Sequence, residues 1–178
     1  MARVRGGDEP AFVLLVGRYK DELTNFAERF LGDRDDAEDV VQEAFVRVWR
    51  KREAFAPGGR FSTWLYTIAA NLAKTRLHRR ALWKFVRLGS TDGAQADIPD
   101  DAAPSDAHAD DAIREERIQR ALGTLPPKFR AVIVLRDIQQ LSYEEIAAIT
   151  GCAMGTVKSR INRARALLRG QLRDLIRE

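Results

Sequence analysis

The chain has one cysteine, Cys152, and two histidines, His78 and His108, among its 178 residues. A single cysteine excludes an intrachain disulfide and a thiolate metal cluster. Two histidines, one of them in a segment of linker composition, supply no ligand set for a metal. No apolar run is long enough to span a membrane, and the start lacks the layout of a signal peptide, so the expected location is the cytoplasm. Strand-type alternation is scarce and no internal repeat is visible. A catalytic constellation is missing too. The acidic cluster Asp35, Asp36, Glu38 and Asp39 offers carboxylates, but no histidine, nucleophile or metal-ligand pattern accompanies it. No catalytic residue, metal or cofactor is therefore assigned, and the chain is not expected to be an enzyme.

What remains is helical periodicity in a chain apolar enough to build a core, with 45% hydrophobic and 31% charged residues. The net charge of +4 is unevenly spread. Residues 1–86 hold 16 Lys/Arg against 12 Asp/Glu, residues 87–112 hold 1 against 7, and residues 113–178 hold 13 against 7. Two basic blocks around an acidic segment suggest two domains that face nucleic acid, joined by a linker that itself resembles a polyanion. The expected fold is all-α, with two small helical domains (1–86 and 113–178) and a flexible acidic linker (87–112). Helices are expected from about Pro10 to Leu31, Asp35 to Glu53, Ser62 to Arg80, Ala112 to Leu122 and Pro127 to Arg136, with a turn-rich break at 55–60.

Residues 141–168 carry the clearest local signal, two helices joined at Gly151, the second rich in cations. Ser142 and Glu145 have the spacing of a capping box, with Leu141 and Ile146 at the staple positions, and Gly151 falls where a left-handed stop is needed. On a helical wheel Val157, Ile161, Ala164 and Leu168 form one stripe that should pack inward. Gly155, Ser159, Asn162 and Arg163 fall opposite, with Lys158 and Arg165 on one flank and Arg160 on the other. This is the layout of a helix-turn-helix whose second helix presents base-reading side chains and phosphate-binding cations. Cys152 beside it reads as a small residue in a turn.

The N-terminal half is patterned in the same way. In 36–50, Ala37, Val41, Ala44, Phe45 and Val48 form an inward stripe, while Asp36, Asp39, Glu43, Arg47 and Arg50 fall outward with Val46 among them. Acids at one end of a face and arginines at the other suit a docking site with electrostatic register. In the third helix Leu65, Ile68, Ala69 and Leu72 face inward, and Thr67, Asn71, Lys74 and His78 form an outer polar stripe. Phe61, Trp64 and Tyr66 cluster at its start. Aromatics beside cations suit single-stranded nucleic acid, although Trp64 and Tyr66 read first as core. These residues leave open a DNA-binding regulator with an N-terminal dimerisation domain.

Taken in order, DAEDVVQEAF, FSTWLYTIAANLAKTRL, LPPKFRAVIVLRD and LSYEEIAAITGCAMGTVKSRINRAR resemble the extracytoplasmic-function sigma factors of bacterial RNA polymerase. The resemblance covers about Asp8 to Leu172 and implies a non-catalytic promoter-specificity subunit. It implies that region 2 docks the beta-prime clamp through Asp39, Gln42 and Glu43. It implies that the loop 55–61 and the following helix read and melt the minus-ten element, with Arg60, Phe61, Trp64, Thr67, Asn71 and Lys74 at the DNA. Region 4 would read the minus-thirty-five element through Gly155, Thr156, Lys158, Ser159, Arg160, Asn162 and Arg163, and would contact the beta flap. The resemblance further implies an anti-sigma factor as a partner and a linker that threads the polymerase cleft. Two departures stand out: Gln140 replaces a common glycine, and Ala153-Met154 replaces a common Pro-Val.

Overall fold

Several helix ends in the first half are set by local signals. The computed structural model describes residues 1–89 and 106–172. A single turn, α1 (Ala2–Arg5), buries Val4 ahead of α2 (Glu9–Leu31). Asp8 caps α2 by accepting from the Ala11 N–H at 2.8 Å, Pro10 sits in its first turn, and Gly32 stops it at φ +73°. Asp33 then caps α3 (Arg34–Arg50) by accepting from the Asp36 N–H at 2.9 Å. After a 3-10 turn (Arg52–Ala54) and the loop with Gly58 at φ +82°, α4 runs from Phe61 to Gly89.

The α3 stripe packs inward as expected, whereas in α4 Ile68 and Leu72, expected inward, are only half-buried and Ala73 is buried. Leu23, Phe26, Ala27 and Phe30 of α2, the stripe Ala37, Val41, Ala44, Phe45 and Val48 of α3, and Leu65, Ala69 and Ala73 of α4 are all buried. Asp36 is a correction to the wheel, which put it outward: it is only 8% exposed. Arg76 donates to it through Nε at 2.6 Å, and Arg80 lies 2.6 Å away, so two cations neutralise a carboxylate that burial alone would disfavour. The same Arg80 reaches Asp33 at 2.6 Å, which ties the α2–α3 corner to α4.

The second half comprises α5 (Asp106–Thr124), α6 (Pro127–Ile133), α7 (Tyr143–Thr150) and α8 (Met154–Gln171). Two boundaries differ from expectation. The helix placed at 62–80 continues to Gly89, and α5 starts at Asp106 rather than Ala112. No breaker lies between Arg80 and Gly89, and acids near a helix start are favourable to its dipole. The remaining expected linker residues, 90–105, lie outside the described residues. Past Ile133 the chain makes a π-type turn (Val134–Ile138), and the Leu141 N–H reaches back to Leu135 O at 3.0 Å. That closure holds Gln140 at φ +55°, a left-handed conformation where glycine would be unstrained.

The two bundles meet directly. Leu122, Leu125, Val132 and Leu135 share one hydrophobic core with α2 and α4. The end of α2 shows why this is stable, since its last carbonyls need donors that the helix cannot provide. Gly32 N–H serves Glu28 O at 2.8 Å, Gln119 of α5 reaches Glu28 O and Arg29 O at 3.3 and 3.4 Å, and Arg130 of α6 serves Phe30 O at 2.8 Å. The second bundle thus completes the hydrogen bonding of a helix in the first.

Candidate nucleic-acid interface

The helix-turn-helix forms as its local chemistry requires. Ser142 Oγ accepts from the Glu145 N–H at 3.2 Å while Glu145 Oε2 accepts from the Ser142 N–H at 2.9 Å, and Gly151 stops α7 at φ +66°. The bond from the Ser142 N–H is the first cause holding the Glu145 carboxyl below its ordinary range, with Arg60 adding to it. In α8, Val157, Ile161 and Ala164 are buried and Leu168 is half-buried. Gly155, Thr156, Lys158, Ser159, Asn162 and Arg163 are exposed on the other side. Ala153 provides no side-chain cap, so the first-turn amides of α8 have no side-chain acceptor at its start.

Two cations beside that face are committed elsewhere. Arg160 is half-buried and donates to Cys152 Sγ at 2.9 Å, which seats the turn against the helix. Arg165, expected on the phosphate flank, holds Asp137 with both Nε (3.0 Å) and Nη2 (2.5 Å), and this pairing raises its pKa. On this face, among the described residues, the free positive charge comes from Lys158 and Arg163.

The second candidate surface is the 55–61 loop with the start of α4. Phe55 is buried, its ring lying 5.2 Å from Trp64 and 6.3 Å from Phe61. Gly59 must pass so close to Ala56 O and this ring that an added Cβ would come within 3.2 Å of the carbonyl. Phe61 is buried against Tyr19, with centroids 5.2 Å apart, so it shapes the loop and offers no ring to solvent. Trp64, Thr67 and Lys74 are half-buried, Asn71 is exposed, and the Thr67 hydroxyl donates to Thr63 O at 2.7 Å.

Arg60 extends from the loop to Glu145 of α7 at 2.6 Å. A cavity of about 760 Å³ lies between them, with Phe55, Gly59, Trp64 and Thr67 on one wall and Ser142, Glu144, Glu145 and Ala148 on the other. Nearby, Tyr66 OH donates to Gln139 Oε1 at 2.8 Å, and Gln139 Nε2 donates to Asn25 Oδ1 at 3.1 Å. Burial pushes the Tyr66 phenol well up, so it stays a neutral donor.

The expected docking residues sit on α3. Asp39 is exposed and paired with Arg76 at 2.8 Å, and Glu43 is paired with Arg47 at 2.8 Å. Gln42 lies beside them on the rim of an apolar groove of about 720 Å³ between α2 and α3, floored by Phe12, Val16, Val41, Phe45 and Trp49. Val13 (67% exposed) and Val46 (37% exposed) stand at its edge. A charged patch and an apolar groove thus adjoin on one outer face.

Residues 15–82 match the Sigma-70 region 2 family and residues 115–168 match the Sigma-70, region 4 family. The ECF RNA polymerase sigma factor SigW of Bacillus subtilis is 39% identical over 178 residues, covering 97% of this chain and 95% of that protein. This chain belongs to the extracytoplasmic-function sigma factors. The ECF RNA polymerase sigma-E factor of Escherichia coli is 36% identical over 182 residues, 98% of this chain and 93% of that one. The Bartonella quintana sigma factor RpoE, solved in complex with the anti-sigma factor NepR, superposes with a TM-score of 0.72 at 30% identity, covering 92% of this chain and 97% of that one. In this sigma factor the region 2 match holds the loop and α3–α4 surfaces, and the region 4 match holds the helix-turn-helix. Sequence reasoning missed Asn25, Gln119, Arg130 and Gln139, which join the two regions. Their partners across the two regions lie 73 to 114 residues away, where no periodicity or motif spacing reaches.

Proposed function

We propose that this sigma factor directs core RNA polymerase to promoters, with no catalysis of its own, by reading duplex DNA through α8 and opened strand through the 55–61 loop and α4. The observation that carries the reading is the outer face of α8. Lys158, Ser159, Asn162 and Arg163 are exposed together while the opposite stripe is buried, in a chain whose first half matches Sigma-70 region 2. A helix in the major groove needs that division, with side chains able to span base edges between cations for phosphate. Gly155 and Thr156 at its start bring the backbone close to the phosphates, and half-buried Arg160 holds the turn in place.

On the downstream side, binding favours the melted strand whenever an unpaired base gains contacts that the duplex cannot make. Trp64, Thr67, Asn71 and Lys74 line one side of α4, and Arg60 supplies a cation at the loop. Phe61, buried as it is, acts by holding the loop's shape. Asp39 and Glu43, with Gln42 on the groove rim, form the face for the polymerase clamp, and the apolar groove beside them suits an amphipathic helix. An anti-sigma factor is a fitting partner, since the related sigma factor RpoE was solved with one.

Reconstitution tests the proposal. Purified chain added to core polymerase is expected to give initiation at promoters selected from genomic DNA, and duplex binding without core association would refute it. In the same assay Arg163→Ala is expected to lower discrimination at the upstream element by about 1–3 kcal/mol, as loss of a bidentate base contact would. A uniform loss over all sequences would place Arg163 on phosphate.

A further inference from the structure

Helix α8 carries five cations, Lys158, Arg160, Arg163, Arg165 and Arg169, and no acid between Met154 and Gln171. Arg165 follows Lys158 by seven residues, so it returns to nearly the same side of the helix about two turns further on. On that flank it would meet the same phosphate backbone as Lys158, yet its guanidinium is held by Asp137 through Nε at 3.0 Å and Nη2 at 2.5 Å. We propose that Asp137 is a specificity-setting residue: it withholds Arg165 from phosphate and so limits the affinity of α8 for DNA of any sequence. The proposal rests on the duplex-reading role of α8.

Three observations separate this role from that of a simple brace. Val157, Ile161 and Ala164 are fully buried, so the inner stripe seats α8 without the pair. The side chains of Arg165 and Asp137 are 44% and 38% exposed, and an ion pair that open to water adds little to stability. The carboxylate is nonetheless held in position. Asp137 sits in the π-type turn, which is closed by the Gln139 N–H on Val134 O and the Leu141 N–H on Leu135 O, both at 3.0 Å. Its neighbour Arg136 steadies the same turn, donating to Leu141 O at 2.8 Å with its guanidinium 4.9 Å from the centre of the Tyr143 ring. A carboxylate and a phosphate accept the same paired N–H bonds from arginine, so Asp137 occupies the donors that a phosphate would take. Among the described residues it is the one acid ion-paired with α8, and the turn thus brings to the helix the negative charge that its own sequence lacks. Each phosphate that a cation neutralises adds affinity without regard to sequence, and a promoter competes with a vast excess of other DNA. Masking one cation therefore reduces the share of protein held by non-promoter DNA.

Fluorescence anisotropy of labelled random-sequence duplex DNA with the full-length chain, over a series of salt concentrations, tests it. Asp137→Asn keeps the shape of the side chain and removes its charge. It is expected to bind the pool more tightly at low salt and to steepen the dependence of log K on log salt by about 0.9, the effect of one further phosphate. Raising salt from about 50 to about 200 mM should then cost the variant about 3.5-fold more affinity than it costs the wild type. Asp137→Ala, which cannot hydrogen-bond Arg165 at all, should show the same steepening. The double variant Asp137→Asn/Arg165→Gln removes both charges and should return to the wild-type line. Thermal melts followed by circular dichroism should be nearly the same for all three variants. Unchanged slopes in Asp137→Asn and Asp137→Ala would overturn the proposal. A double variant that stays steep would overturn it by showing that a released arginine is not the cause. A double variant flatter than the wild type would overturn it by placing Arg165 on phosphate already. Lys158→Ala separates this from the reading of α8: a slope flatter by about 0.9 keeps α8 on duplex DNA whatever Asp137 does, and an unchanged slope removes both.

Discussion

Replacing Arg130 with methionine removes a guanidinium that is 8% exposed and donates to three backbone carbonyls: Phe30 O at 2.8 Å, Gly123 O at 2.5 Å and Leu125 O at 3.1 Å. Methionine fills the space of the side-chain stem, so no large cavity opens and the effect isolates the hydrogen bonds. A bond from a charged donor contributes about 1.5–3 kcal/mol, and a carbonyl left buried without a donor loses its solvation as well. Against this stands the cost of burying the cation, which also lowers the pKa of Arg130. The net expectation is a loss of about 2–4 kcal/mol, because the carbonyls stay buried whichever side chain is present. For a chain of this size that lowers Tm by about 5–12 °C. Urea unfolding followed by circular dichroism measures it. One of the three bonds crosses between bundles, so Gln119→Ala, which removes only cross-bundle bonds, should cost less, about 1 kcal/mol. A loss below about 0.5 kcal/mol for Arg130→Met would refute the argument that these carbonyls depend on it.

Acid should weaken the fold in a defined window. Bonds from the Asp36 N–H to Asp33 and from Ser142 to Glu145 depress both carboxyl pKa values below their ordinary 3.8 and 4.5, so their stabilisation is complete above those values and is lost as pH falls through the lowered ones. A pH-dependent melting series should show the decline beginning near those values, and Glu145→Gln, which removes one of the titrating carboxyls, should flatten it. The Tyr66 phenol behaves oppositely: burial raises its pKa from 10.0, so its contribution holds below pH 10 and fades as pH rises further. Gln140→Gly should raise stability by about 1 kcal/mol in urea titrations by relieving the left-handed strain at φ +55°, and a destabilised variant would mean that the turn is not strained. Asp39→Ala is expected to weaken capture of core polymerase in a pull-down while leaving the melt nearly unchanged, because Arg76 keeps Asp36 as a partner.

Features whose partners lie within one or two turns were legible in the sequence. The capping box at Ser142–Glu145, the glycine stops at Gly32 and Gly151, and the stripes of α3 and α8 depend on spacings of three and four residues, which a helical wheel resolves. The misplacement of Asp36 shows the limit of that method. The wheel assigns a direction to a charged side chain, but whether the direction meets solvent depends on Arg76 and Arg80, some 40 residues away. The start of α5 was missed for a related reason, since a composition poor in apolar residues does not distinguish a linker from the extended end of a helix.

The sequence by itself therefore determined an all-helical chain of two patterned halves, the exposed polar face of α8, and membership of a family whose motifs occur in order. Only the tertiary structure decided that the halves share a core, that Arg130 and Gln119 complete the end of α2, and that Arg60 of the 55–61 loop pairs with Glu145 of α7. The physical reason lies in the range of the interactions. Caps and stripes are settled by neighbours along the chain, whereas a buried guanidinium or a bridging amide has meaning only once distant backbone carbonyls and side chains are brought within about 3 Å of it.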